Sequence, residues 1–147
     1  MDTSSPPMTI LLIDDDDKDR TYYAKRIHMG IPECTVLEAK DGRSGLELYW
    51  SLRIDCIVME AYLPDMSGFE LLLEVVPRPS EPAIAVMMLT QAEWRHLNKF
   101  AMQRGVHAFF VKRFTSGDEL VAIIQKGIAR VGPNDKVRQQ DDQILKV

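Results

Sequence analysis

The chain has 147 residues, 46% hydrophobic and 27% charged with a formal net charge of -4, which matches ordinary globular composition and one domain with one core. No apolar stretch approaches the roughly 20 residues that span a bilayer, the first residues "MDTSSPPM" lack the basic and apolar regions of a secretion signal, and the location expected is the cytoplasm. Basic residues are dispersed, so direct nucleic-acid binding is not expected, and Cys34 and Cys56 are too few and too far apart for a disulfide framework or a zinc site.

In chain order, the apolar run "TILLI" at 9–13 predicts a first strand, and "DRTYYAKRIHM" at 19–29 a first helix. A weaker strand, "CTVLEA" at 34–39, precedes a helix over 42–52, and "DCIVM" at 55–59 precedes one over 68–76. "AIAVMML" at 83–89 and "AFFV" at 108–111 predict the last two strands, with helices over 93–104 and 118–131. The last helix carries Leu120, Ile123, Ile124, Ile128 and Val131 on one stripe. Runs this short and continuous suit strands buried on both faces. Five strand-helix repeats predict a parallel sheet with right-handed crossovers and helices on both faces.

Three helix starts carry capping-box spacing: Ser67 to Glu70, Thr90 to Glu93 and Ser116 to Glu119. Pro77, Pro79 and Pro82 end the third helix. The division expected is a disordered start over 1–7, a domain over 8–131, and a linker or frayed tail over 132–147 that opens on Gly-Pro.

Polar residues collect after the strands. Asp14 to Asp17 follow the first, Glu60 the third, Thr90 the fourth and Lys112 the fifth. In an open parallel sheet these ends share one edge, where such folds bind ligands. Asp14, Asp15 and Glu60 there would repel one another unless a hard divalent cation or the Lys112 ammonium stood between them. Each residue also has a plainer reading: "DDDDKD" as a solvated acidic start to a helix, Thr90 as a helix cap, Lys112 as a surface lysine. His28, His96 and His107 share no spacing that suggests a role.

The segments "ILLIDDDD", "CIVMEAYLPDMSGFEL", "AVMMLT" and "FFVKRF" together resemble the receiver domain of two-component response regulators, over residues 8–131. The resemblance implies a flavodoxin-like doubly wound five-stranded sheet of order 2-1-3-4-5 with five helices, and a non-enzymatic role in phosphorelay signal transduction. It further implies that Asp14 and Asp15 form the magnesium-binding acid pair, that Glu60 stands at the phosphoacceptor position and within the metal site, and that Thr90 and Lys112 contact a phosphoryl group. Phe109 falls at the switch aromatic. Its partners would be a histidine kinase or an output protein, with homodimerisation through the fourth helix, fifth strand and fifth helix, where Trp94, His96, Phe100 and Phe114 lie.

Two departures qualify this. Glu60 replaces the aspartate that accepts phosphate, and a displacement of about an ångström can cost on the order of a hundredfold in rate. Glu60 either imitates the phosphorylated state in part, with one charge against about -1.5 to -2 for a phosphate, or only pairs with Lys112. Magnesium is then held weakly if at all. Arg113 replaces the proline that usually follows the lysine, which predicts a trans bond and a rearranged loop or a re-aimed Lys112. Tyr62 is bulky enough to shield the pocket or to pack on its loop. Two other readings remain open: a haloacid-dehalogenase-like phosphohydrolase with Asp14 as nucleophile and Asp16 as general acid, and a pure docking module.

Overall fold

The computed structural model describes residues 7–91 and 95–132, and for residues 95 and 96 the backbone alone. Five strands, β1 (Thr9–Ile13), β2 (Thr35–Ala39), β3 (Cys56–Met59), β4 (Ala85–Thr90) and β5 (Ala108–Val111), form one parallel sheet in the order β2-β1-β3-β4-β5. Between and after them run α1 (Asp17–Gly30), α2 (Gly42–Ser51), α3 (Gly68–Val75), α4 (Arg95–Gln103) and α5 (Gly117–Val131). Fold class and strand order are those expected from the sequence. β4 starts two residues later than its apolar run because Ala83 and Ile84 precede the first paired residue, and it extends through Thr90.

The two-residue period of the strands divides the core. Leu11, Ile13, Ile57, Met59, Val86 and Met88 face one side, under Leu71, Leu72 and Val75 of α3 and Ala101 of α4. Ile10, Leu12, Cys56, Val58, Ala85 and Met87 face the other, under Tyr23 and Ile27 of α1 and Leu120, Val121 and Ile124 of α5. Both cysteines are free and buried, and burial pushes the Cys56 thiol far above its usual range, as suits an inert core residue.

Side-chain caps fix where the helices begin. Asp16 Oδ1 accepts from Asp19 N at 2.9 Å, Ser67 Oγ from Glu70 N at 3.1 Å, and Ser116 Oγ from Glu119 N at 3.1 Å. The pairing of Thr90 with Glu93 falls on a residue outside those described. Replacing Ser116 with Ala leaves an amide of α5 without its acceptor and is expected to lower stability by about 1 kcal/mol, read by urea unfolding. An unchanged midpoint would show that water replaces the cap at no cost. The expected tail over 132–147 lies outside the described residues beyond Gly132.

Candidate functional site

Register brings the acids together. Ile13 pairs with Met59, so the next residues, Asp14 and Glu60, leave adjacent strands side by side at the carboxyl edge. Thr90 pairs with Val111, which places Lys112 directly beyond the tip of β4. The backbone continues the ladder into the site: Asp14 N donates to Ala39 O at 3.0 Å and Glu60 N to Ile13 O at 2.9 Å. The Arg20 guanidinium donates to the Asp14 carbonyl at 2.7 Å and pins that tip from α1.

Lys112 is the centre of the arrangement. Its Nζ lies 2.7 Å from Asp14 Oδ2, 2.8 Å from Asp19 Oδ2 and 3.1 Å from Glu60 Oε2. The side chains of Lys112, Asp14 and Glu60 are 8%, 3% and 5% exposed, so this cluster is shielded from water. Burial alone would lower the Lys112 pKa, but hydrogen bonds to Asp14 and Asp19 and the charges of Asp14 and Glu60 outweigh it and hold the ammonium well above the ordinary lysine value. Burial lifts the Asp14 carboxyl above its usual range, against the downward pull of Lys112 and the Asp16 amide.

The remaining oxygens also have donors. Asp14 Oδ1 accepts from Asp16 N at 2.9 Å, and Glu60 Oε1 accepts from Tyr62 N at 3.4 Å. The loop after β3 is closed by a bridge between Tyr62 and Ser67 and by Gly68 N donating to Ala61 O at 2.7 Å, so the Tyr62 amide points back at the Glu60 carboxylate. A cavity of about 260 Å³ opens beside this cluster, lined by Asp15, Asp16, Glu60, Tyr62, Thr90, Gln91 and Lys112.

Glu60, Thr90 and Lys112 thus share one cavity, with Asp14 behind it on Lys112. Asp15 reaches the cavity but is exposed, and among the described residues no three His, Cys, Asp or Glu side chains form a group that could hold a metal ion. Of Asp14, Asp15 and Glu60, two, Asp14 and Glu60, each give an oxygen to the Lys112 ammonium. Phe109 is half-buried and packs on the α2–α3–α4 side of the core, outside the cavity lining. Tyr62 forms part of the cavity wall while 46% exposed.

Lys112 is not re-aimed, although Arg113 follows it. The chain after β5 makes a 3₁₀ turn over Lys112–Phe114, no described peptide bond is cis, and the Lys112 carbonyl accepts from Tyr23 Oη at 3.5 Å. The residue that sequence reasoning missed is Asp19. It sits in the first turn of α1, where an acid is expected for the helix dipole alone. Its Oδ2 accepts from both Lys112 and Gln91 Nε2, the latter at 3.2 Å.

A parallel sheet of this order with acids and a lysine at its carboxyl edge is the architecture of a signalling receiver. Residues 10–125 match the response regulator receiver domain family, and the chain belongs to it. It is 33% identical over 124 residues to the nitrate/nitrite response regulator protein NarL of Escherichia coli K12, covering 84% of this chain and 56% of that protein. It is 30% identical over 109 residues to the chemotaxis protein CheY of Pseudomonas aeruginosa, covering 74% of this chain and 87% of that one. The chain thus spans about half the length of NarL. Among solved structures, a receiver domain from Clostridium thermocellum superposes with a TM-score of 0.74 at 24% identity, over 84% of this chain and 95% of that one.

The family match does not favour the phosphohydrolase reading. The acids nearest after Lys112, Asp118 and Glu119, lie in the first turn of α5, and Asp118 Oδ1 is held by Arg26 at 2.8 Å. No helix among the described residues is long and apolar enough to cross a membrane.

Proposed function

We propose that this receiver domain works in phosphorelay signal transduction as an atypical member, with Glu60 as a built-in anion in place of a phosphorylated aspartate. The observation that carries this reading is that one carboxylate, 5% exposed, takes both Lys112 Nζ at 3.1 Å and the Tyr62 amide at 3.4 Å. Those are donors that an added phosphoryl group would need, and Glu60 already engages them. A carboxylate supplies two oxygens and one charge, fewer than a phosphate, so the imitation is partial.

Magnesium fits this site poorly. Its ordinary shell is one or two carboxylates plus waters, and here Asp14 and Glu60 are committed to the ammonium. The reading therefore includes weak or no binding of a divalent cation by Asp14, Asp15 and Glu60. Output passes by protein contact in the cytoplasm, to a kinase, an output protein or a second copy, through α4, β5 and α5. Phe100 and Phe114 are 40% and 64% exposed there; the Trp94 and His96 side chains lie outside those described.

Incubation with acetyl phosphate and magnesium, followed by intact-mass measurement, tests the proposal. No phosphoryl adduct is expected on the unaltered chain. A stoichiometric adduct mapped to Glu60 would sink it.

A further inference from the structure

The Lys112 ammonium has three N–H donors and no acceptor capacity. Three carboxylate oxygens surround it within 3.1 Å, one each from Asp14, Asp19 and Glu60. Asp14 and Glu60 belong to the strand tips. Asp19 comes from α1, is not among the residues that line the cavity, and accepts from the cavity-lining Gln91 as well as from the ammonium. We propose that Asp19 closes this pocket to phosphoryl groups and other anions: it takes the third proton of Lys112 and leaves no N–H of that ammonium for an incoming oxyanion.

The charge balance acts in the same direction. Three carboxylates around one ammonium, with the Arg20 guanidinium nearby on the Asp14 carbonyl, leave an excess of negative charge where Asp14 and Glu60 are buried and Asp19 is 30% exposed, and like charges in such surroundings repel. Asp15 and Asp16 add to the acidic lining. Removing Asp19 frees one N–H of Lys112 and lowers the repulsion by one charge. Its hydrogen bond to Gln91 also ties the residue after β4 to α1, so part of the cavity wall is linked to the same aspartate. The position is fixed by local structure: Asp16 caps α1 through Asp19 N, which turns the Asp19 carboxylate back toward the sheet edge.

This inference rests on the receiver reading of the site but not on Glu60 acting as a built-in anion. It makes Asp19 a second obstacle to phosphorylation, separate from the over-long side chain at 60. Restoring an aspartate at position 60 is then not sufficient for rapid phosphoryl transfer.

The experiment compares Glu60→Asp with Glu60→Asp/Asp19→Leu and Glu60→Asp/Asp19→Asn, each with acetyl phosphate in magnesium-containing buffer. In the reaction a carboxylate oxygen of residue 60 attacks phosphorus, the bond to acetate breaks, acetate leaves with the electron pair, and an acyl phosphate forms. One charge-assisted hydrogen bond freed for the phosphoryl oxygens corresponds to an initial rate about tenfold or more higher in the Leu double variant. The Asn double variant is expected between the two, since its amide oxygen still accepts from Lys112 while its charge is gone. Titration of Glu60→Gln and Glu60→Gln/Asp19→Leu with inorganic phosphate, followed by NMR at the Tyr62 amide, should show tighter binding by a similar factor in the double variant. Equal rates in all three aspartate-bearing proteins, no adduct on any of them, or equal phosphate affinity would overturn the assignment. A stoichiometric adduct on the unaltered chain, which keeps Asp19, would overturn both readings, whereas equal rates in the three aspartate-bearing proteins with no adduct on the unaltered chain would overturn this one alone.

Discussion

Replacement of Lys112 by Met is expected to lower stability by about 3–5 kcal/mol at neutral pH, the usual cost of removing one partner from a buried ion pair. Asp14 and Glu60, 3% and 5% exposed, would keep their charges with no cation between them, and Met fills the space without supplying a donor. For a domain of this size that corresponds to a fall in Tm of more than about 10 °C. The effect should carry a pH signature. Lys112 has a folded-state pKa above its unfolded value, so its contribution is intact below the ordinary lysine value of about 10.4 and is lost as pH rises past it. The unaltered protein should therefore lose stability above roughly pH 10, and the Met variant should lack that phase. At the acid end the sign is set by Asp14. Burial raises its folded pKa, so the folded state holds this proton more tightly than the unfolded chain, and stability falls as pH rises through the folded value. Without Lys112 that pull on the proton grows, so the gap between the two proteins should narrow as pH is lowered toward the carboxylate range. Urea midpoints measured across pH test all of this. A gap that stays constant from acid to alkaline pH would mean the loss comes from packing and not from charge.

The same cluster shows how far the sequence could be read. The strands β1 and β5 coincide with "TILLI" and "AFFV" because both are short apolar runs bounded by polar residues; β1 is buried on both faces, while β5, at the sheet edge, is half-buried throughout. Once the strands are placed, parallel register puts Asp14 beside Glu60 and Lys112 beyond Thr90 without further information. What could not be read was which acids the ammonium would choose. Asp15 looked equivalent to Asp14 in the chain, yet alternation along the strand turns Asp14 inward and leaves Asp15 exposed. Asp19 was hidden for the opposite reason. Acids in the first turn of a helix are explained by the dipole and the cap, so nothing in "DDDDKD" distinguished the one whose helical phase brings it back to Lys112. Phe109 follows from the same alternation: β5 directs it to the α2–α3–α4 side and Phe110 to the α1–α5 side, so its position in the chain was legible but its separation from the cavity was not. Arg113 shows a local departure with little consequence for aim. The lysine is held by three carboxylates and by Tyr23 on its carbonyl, which fixes its direction without the proline.

Gly68→Ala is expected to destabilise by about 1–2 kcal/mol and to disturb the site from behind. Gly68 opens α3 directly after the loop that carries Glu60, and its amide donates to Ala61 O at 2.7 Å. A Cβ there would lie 2.8 Å from the Glu60 carbonyl oxygen, 3.1 Å from Ala61 Cα and 3.3 Å from Ala61 O. All three are backbone atoms, so no side chain can rotate away and the strand tip itself must shift. Forced contacts of this kind typically cost about 1–3 kcal/mol, and the better helical propensity of Ala returns at most about 1 kcal/mol. The shift falls on the residue whose carboxylate bridges Lys112 and the Tyr62 amide, so part of the loss should travel through those contacts. A double-mutant cycle with Glu60→Gln separates the two parts. Contacting residues that share a network couple by about 0.5–3 kcal/mol, so the combined loss should differ from the sum of the single losses by at least the lower figure. Strict additivity in urea unfolding would place the whole effect in the start of α3 and show that the loop transmits nothing to Glu60.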